Sequence, residues 1–161
     1  MTRYISLAAL LLLVTVAFAI GSSFEAEEWF FEKVENPSWA PTPWVMGPIW
    51  AAFYTLMALA AWEVWETGHF DRIKAMAWWL LLLVLLQVWS VLFFGMHRPG
   101  WAWMELCLVL GVAFLCARAF RPLSQPAFYL MLPGLLWLVF FWLLNFFSWN
   151  MSGGPLDAYL P

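Results

Sequence analysis

The chain has 161 residues, of which 65% are hydrophobic and 20% aromatic, while only 11% are charged. A soluble domain carries about 25% charged residues, so this composition excludes an ordinary soluble fold. The net charge of −3 argues against nucleic acid as a partner, because nucleic-acid-binding domains are basic.

Apolar runs of membrane-spanning length recur along the chain. They predict an all-α integral membrane protein, built as a bundle of five transmembrane helices. A single domain is expected over residues 1–161, with a Pro/Trp loop at residues 23–43. The helices are expected at about residues 4–20, 44–65, 75–95, 101–117 and 127–149.

The first apolar run, from Tyr4 to Ile20, follows Arg3 and has two interpretations. A basic start, an apolar core and the sequence A-F-A at residues 17–19 are typical of a cleavable signal peptide. The run is also just long enough to be a short first transmembrane helix.

A loop rich in proline and tryptophan leads into the second helix. Proline fixes φ and restricts the residue before it, so this loop is stiff without needing hydrogen bonds. Two hypotheses fit: a rigid aromatic lid over a pocket, or a belt of indoles at the lipid headgroups, where tryptophan is enriched. The residues concerned are Pro37, Trp39, Pro41, Pro43, Trp44 and Pro48.

Two polar residues lie inside the third and fourth predicted helices. Gln87 is expected to point inward, because an amide at mid-membrane is expensive unless it faces protein. There it either bonds a neighbouring helix or presents its amide to a ligand. Glu105 lies one turn into the fourth helix and is expected to stay hydrated near the interface.

Lysine and arginine are distributed unequally between the two sides of the predicted bundle. One side carries Arg3, Arg72, Lys74, Arg118 and Arg121, and the other carries only Lys33 and Arg98. The positive-inside rule therefore predicts a cytoplasmic N-terminus, with the first loop and the C-terminus on the opposite side.

Motifs of side-chain catalysis are absent from the sequence, which contains no G-x-S-x-G, no H-E-x-x-H and no glycine-rich phosphate loop. Enzymatic activity is therefore uncertain. The abundant indoles instead offer flat, polarizable faces with one N–H donor each. Such surfaces suit a large planar apolar ligand, such as a porphyrin, a bilin or a sterol.

Three stretches resemble the TspO/MBR family of tryptophan-rich sensory proteins in order and spacing. They are W-x-P-x₈-W with a Tyr four residues later, W-S-V-L-F-F-G at residues 89–95, and L-P-G-L-L-W followed by an Asn eight residues on. The resemblance runs from about residue 7 to residue 150 and favours a retained first helix. It is carried by Trp39, Pro41, Trp50, Tyr54, Trp89, Pro133, Trp137 and Asn145.

The resemblance implies a pocket beneath the first loop, lined by helices two, three and five, that takes porphyrin, haem or sterol. No cofactor is required, although a porphyrin or haem can be bound. No metal site is expected, and His97 is only a weak candidate for an axial haem ligand. With Gln87 added from its polarity, the candidate ligand-binding residues are Trp39, Pro41, Trp50, Tyr54, Gln87, Trp89, Phe93, Phe94, Trp137 and Asn145.

Photo-oxidative breakdown of protoporphyrin in some family members is attributed to tryptophans that match Trp50 and Trp137. The chain also departs from the family pattern. Leu86 stands where many members have Asn, and Gly134 stands where a Tyr is usual. Bulky residues at 140–142 (Phe140, Phe141 and Trp142) replace small ones, and any that faces inward fills volume that a ligand would need.

Two hypotheses about function follow. The first is a membrane protein that binds a tetrapyrrole or sterol, with a sensory, transport or photo-oxidative role. The alternative is a structural or assembly subunit that packs its aromatic surface against a larger membrane complex. The expected partners are the lipid bilayer, the ligand, and a second copy or larger complex, and the expected location is a bacterial cell membrane.

Overall fold

The computed structural model describes residues 2–24 and 28–153, and the regular elements within those ranges are all helical. In chain order they are α1 (Thr2–Ser22), α2 (Glu28–Lys33), α3 (Pro43–Glu66), α4 (Arg72–Ser90), α5 (Pro99–Phe120) and α6 (Gln125–Met151). A π-helical turn, Val91–Gly95, continues α4 and is called the π-turn below.

Five helices in the described ranges are long and apolar enough to cross a membrane, and the prediction of an all-α, five-helix membrane fold is confirmed. Four of them are α1, α3, α5 and α6, and the fifth is α4 together with the π-turn. The spans reach slightly further than the sequence predicted, since α4 begins at Arg72 and α5 ends at Phe120.

The helix α2 interrupts the Pro/Trp loop and was not expected from the sequence. A helix of six residues is not stable by itself in water, so tertiary packing must hold it. Phe30 of α2 packs against Phe93 and Phe94 of the π-turn, with ring centroids 6.1 and 5.8 Å apart. Val34, just after α2, is buried in the same cluster with Ala102 of α5.

Close packing of α3 organises the bundle, because α3 lies against both α1 and α6. Its small residues Ala58, Ala60 and Ala61 are fully buried, and small side chains let helix backbones approach closely. On the α4 side, the indole of Trp79 is fully buried and its Nε1 donates to the carbonyl of Met57 at 3.1 Å. The buried indole N–H is thus satisfied, as burial requires.

The expectation that Glu105 stays hydrated is wrong, because its side chain is only 7% exposed. The buried stripe of α5 includes Ala102, Leu106 and Val109, which places Glu105 on the face that packs into the bundle. The short distance of Glu105 from the helix end suggested that its carboxylate is hydrated. Its burial depends instead on the face of the helix that carries it, and that face packs into the bundle.

Gly134 in α6 makes room for the ring of Phe53 in α3. A Cβ added at Gly134 would lie 3.0 and 3.1 Å from two ring carbons of Phe53. That ring is buried and held edge-on to Trp50 and Tyr54, with centroids 5.3 and 5.5 Å away. The ring therefore has little freedom to move aside.

Gly134→Ala is expected to lower the free energy of unfolding by about 1–3 kcal/mol, because the added methyl overpacks the Phe53 contact. Gly111→Ala is the matched control, since its Cβ would meet nothing within 4 Å. Unfolding in mixed micelles with increasing denaturing detergent, followed by tryptophan fluorescence, measures both. Equal stability of the two variants would contradict the packing role of Gly134.

Candidate ligand-binding site

A cavity of about 570 Å³ lies beneath the Pro/Trp loop, bounded by α1, α3, α4, the π-turn and α6. Its volume falls within the range of about 300–1,000 Å³ that is usual for small-molecule sites. Ten aromatic side chains line it: Phe18, Phe24, Phe30, Phe31, Trp50, Tyr54, Trp89, Phe93, Phe94 and Phe141.

None of the described residues that line this cavity carries a charge. Its polar groups are hydroxyls and amides, which orient a ligand through hydrogen bonds without requiring an ion pair. They belong to Ser22, Asn36, Thr42, Tyr54, Ser90, Asn145 and Ser148.

Prolines of the Pro/Trp loop cover the cavity, whereas Trp39 of the loop and Trp44 at the start of α3 are turned outward. Pro41 and Pro43 line the cavity, whereas Trp39 and Trp44 are 47% and 78% exposed. Trp39 packs edge-on to Phe140 on the outer side of α6, with ring centroids 5.7 Å apart. One face of the loop thus has the geometry of a lid, and the other has the exposed indoles of a belt.

Two hydrogen bonds, called the loop latch below, fasten this loop to the end of α6. Ser148 Oγ donates to Asn36 Oδ1 at 2.9 Å, and the backbone N–H of Glu35 donates to Ser152 Oγ at 2.8 Å. Asn36 and Ser148 also line the cavity, so the latch lies at its wall.

Trp50 and Tyr54 lie one turn apart on α3, and both line the cavity. Residues four apart share one face of a helix, which explains the spacing seen in the sequence. Pro43 opens α3, where a missing N–H costs little, whereas Pro48 lies inside the helix, beyond the first turn in which the sequence placed it, and removes a backbone hydrogen bond there.

The π-turn presents a cluster of aromatic rings to the cavity. Met96 N–H donates to the carbonyl of Val91 at 2.7 Å, which is the i→i−5 bond of a π-helix. Trp89 stacks on Phe93 with centroids 5.1 Å apart and planes 25° apart. π-helical turns occur often at functional sites. No local feature of the sequence predicted this one.

Asn145 connects the α4 and α6 walls of the cavity. Its Oδ1 accepts a hydrogen bond from Trp89 Nε1 at 3.1 Å, and its Nδ2 donates to the carbonyl of Phe141 at 2.8 Å. The amide is thus used on both sides, and it fixes the orientation of the Trp89 indole.

Phe141 is the one member of the bulky 140–142 segment that lines the cavity, and it is 3% exposed. Its ring lies edge-on to Trp50 and Trp89, with centroids 5.0 and 4.7 Å away. On its other side it stacks against Trp137 at 6.2 Å. Trp137 itself does not line the cavity, and it also lies edge-on to Trp50 at 5.8 Å.

The structure brings most of the predicted site residues to this cavity. Trp39, Gln87 and Trp137 do not line it, although Gln87 bonds Tyr54 and Trp137 stacks on Phe141. His97 has φ of +54° in the link between the π-turn and α5 and does not line the cavity. The predicted residues that line it are Pro41, Trp50, Tyr54, Trp89, Phe93, Phe94 and Asn145.

The sequence reasoning missed the contribution of α1. Phe18, Gly21 and Ser22 of α1 and Phe24 just after it line the cavity, yet no motif in the sequence distinguishes them. Leu86 also lines the cavity at the position where the expected Asn is missing.

The cavity suits an apolar ring system better than a metal ion. Within residues 2–24 and 28–153, no group of three or more His, Cys, Asp or Glu residues is placed to hold a metal. None of the described lining residues is His or Cys, so Met46 and Tyr54 are the lining residues whose side chains can ligate haem iron.

Ser148→Ala is expected to speed amide hydrogen exchange in residues 34–42 about two- to tenfold, because one hydrogen bond contributes about 0.5–1.5 kcal/mol. Thr55→Val is the control, since Thr55 bonds only within its own helix, to the carbonyl of Ala51. Exchange measured by mass spectrometry that is the same in wild type, Ser148→Ala and Thr55→Val would rule out the loop latch.

Known proteins are similar in sequence to this chain over nearly its whole length. The profile of the TspO/MBR family matches residues 8–150. The human translocator protein is 34% identical over 141 residues, which cover 84% of this chain and 83% of that protein. The translocator protein of Ovis aries is 33% identical over 140 residues, with the same coverage of 84% and 83%.

A prokaryotic relative extends the match. The tryptophan-rich protein TspO of Archaeoglobus fulgidus is 30% identical over 141 residues, covering 86% of this chain and 91% of that protein. The matched region contains the Pro/Trp loop, the cavity and nearly the full length of the five spans. The chain is therefore an integral membrane protein that belongs to the TspO/MBR family.

Proposed function

We propose that this protein binds a large planar apolar ligand, a porphyrin, haem or a sterol, in the cavity beneath the Pro/Trp loop. Its role would be sensory, in transport, or in handling porphyrin. The observation that carries the proposal is the cavity itself, with about 570 Å³ of space and ten aromatic rings in its wall. Aromatic rings bind flat apolar molecules by stacking and edge-on contact.

Photo-oxidation is a further part of the proposal and depends on which indoles a bound porphyrin meets. Trp50 lines the cavity, whereas Trp137 does not and packs instead against Trp50 and Phe141. Dioxygen excited by an illuminated porphyrin reacts only with groups that it reaches before it decays. Trp50 is therefore the stronger photo-oxidative candidate of the two.

The distribution of Lys and Arg supports a cytoplasmic N-terminus, with the cavity and its loop near the opposite surface. A bacterial cell membrane as location, and a homodimer or larger complex as assembly, belong to the same proposal.

The alternative function is an assembly subunit in a larger membrane complex. Exposed aromatics such as Trp44, Phe70 and Tyr129 provide a surface for it. Contact with lipid accounts for exposed apolar side chains in a membrane protein, so they need no protein partner. Contact with lipid does not explain the cavity. The cavity therefore favours ligand binding over the assembly role.

Titration of the purified protein with protoporphyrin in the dark is expected to quench tryptophan fluorescence saturably. Trp50→Phe should weaken binding about three- to tenfold, because it shrinks an aromatic surface that lines the cavity. Trp137→Phe should change affinity less, since Trp137 does not line the cavity.

Trp65→Phe provides the control for the loss of one emitting indole, because Trp65 does not line the cavity. Empty micelles correct for partition of the porphyrin into detergent. Quenching that does not saturate, together with stoichiometric co-purification with a larger complex, would replace ligand binding with the assembly role.

Protoporphyrin dimethyl ester is expected to bind at least as tightly as the free dicarboxylic acid. A carboxylate moved from water into an uncharged wall loses hydration without gaining a cation, and that burial is costly. Competition between the two forms in the same quenching assay measures the difference. A free acid that binds about tenfold tighter would instead show that a cation reaches its carboxylates.

A further inference from the structure

Most of the basic side chains lie at the end of the bundle away from the cavity, and two of them already have partners. Arg3 pairs with Glu66, with 3.8 Å between Nε and Oε2. Arg72 donates from Nη1 to the carbonyl of Trp65 at 2.9 Å, and its guanidinium lies 4.5 Å from the centroid of the Trp65 ring. These two arginines are therefore used in holding helices and loops together.

Three further cations at this end, called the basic patch below, are Lys74, Arg118 and Arg121. All three are exposed, and none of them forms an ion pair within residues 2–24 and 28–153. The two spans that carry them have nearly equal lengths of 24 and 22 residues, and only residues 96–98 link them. Two helices joined by so short a link run antiparallel, so the start of α4 and the end of α5 come to the same end of the bundle.

The basic patch continues into an exposed apolar face of α5. Phe114 and Leu115 precede Arg118 by four and three residues, so the three side chains share one face of the helix. Phe114 is 59% exposed and Leu115 is 39% exposed, and both lie inside a membrane-spanning helix. The guanidinium of Arg121 lies 5.6 Å from the ring centroid of Phe128, which keeps it close to the start of α6. One surface thus presents cations at the helix end and apolar side chains within the span.

An anionic phospholipid has the same arrangement of charge and apolar surface. Anionic lipids attract Lys and Arg near the membrane surface, and guanidinium groups form strong hydrogen bonds with phosphate oxygens. An acidic protein would also neutralise the cations, but it would leave the apolar face of α5 unused. A lipid occupies both parts, because its acyl chains extend into the membrane beside the helix.

We propose that the basic patch and the adjoining face of α5 bind an anionic phospholipid. Its phosphate lies among Lys74, Arg118 and Arg121, and one acyl chain lies along Phe114 and Leu115. This lipid site goes beyond the proposed function, because it is a separate site for a different ligand.

The lipid site is well separated from the cavity. Leu86 of α4 and Leu106 of α5 line the cavity, and each lies twelve residues along its helix from Lys74 and Arg118, respectively. At 1.5 Å per residue this is about 18 Å. A substitution in the basic patch is therefore expected to leave protoporphyrin binding unchanged, so each site can be tested without the other.

A simpler explanation is that these cations only set the orientation of the chain and remain hydrated. In that case any preference for anionic lipid reflects the net charge of the protein, and removing any one exposed cation has the same effect. The lipid site instead predicts that the effect depends on which cation is removed.

Native mass spectrometry of the delipidated protein in neutral detergent measures the preference. Phosphatidylglycerol and phosphatidylcholine with identical acyl chains are added in equal amounts. Both contain a phosphate, but the choline group carries its own cation and leaves the second lipid without net charge. The wild-type protein should retain at least about ten times more phosphatidylglycerol, because each nearby cation contributes up to about fivefold in affinity.

Arg118→Gln and Lys74→Gln should each lower this ratio about three- to fivefold, since each removes one cation from the patch. Arg118→Lys should keep most of the ratio, because the charge is retained. Lys33→Gln is the matched control: it removes one exposed cation from α2, near the Pro/Trp loop, and should leave the ratio unchanged. Inorganic phosphate at millimolar concentration should not displace the lipid, because it has no acyl chain to lie along α5.

Equal retention of the two lipids by the wild-type protein would overturn the lipid site. An equal fall of the ratio in Lys33→Gln and Arg118→Gln would also overturn it, because net charge would then explain the preference. Displacement of the lipid by inorganic phosphate would rule out the seat along α5. None of these results bears on the cavity, whose proposed ligand binding stands or fails by the protoporphyrin titration.

Discussion

The hydrogen bond between Trp89 and Asn145 joins the α4 and α6 walls of the cavity, and the surrounding aromatic cluster depends on it. Asn145 accepts from the indole and donates to the backbone of Phe141, so a single amide positions two of the rings in the wall. Because its Oδ1 and Nδ2 are both used, the amide is held in one orientation. The rings of Trp50 and Trp89 each meet the ring of Phe141 edge-on beside it.

A cavity with uncharged walls in a membrane protein has chemical consequences. A ligand that enters it exchanges lipid or detergent for aromatic rings, so affinity depends on shape and on a few hydrogen bonds rather than on charge. The loop latch and the stiff prolines close the cavity from one side. The indole surface that a ligand meets comes from Trp50 and Trp89, because Phe141 lines the cavity and Trp137 does not. These features together favour a flat neutral molecule that contacts Trp50 and Trp89.

Much of the fold and part of the site could be predicted from the sequence. Hydrophobic length alone gave five spans, and the one-turn spacing of Trp50 and Tyr54 placed both on one face of α3. Glu105 was predicted to be hydrated because it lies near the end of a helix. That distance does not show which face of α5 carries Glu105, and the structure places it on the face that packs into the bundle. The contribution of α1 to the cavity was missed because this helix is apolar on all of its faces, so the sequence does not show which face points into the protein.

The sequence by itself determined that the chain crosses a membrane five times and that a stiff aromatic loop precedes α3. Both follow from local properties, namely the apolar length of a helix and the fixed φ of proline. Only the tertiary structure decided which rings line the cavity, that Phe141 is among them, and that Trp137 is not. Those facts depend on how helices rotate and approach one another, and that is set by packing between residues far apart in the chain.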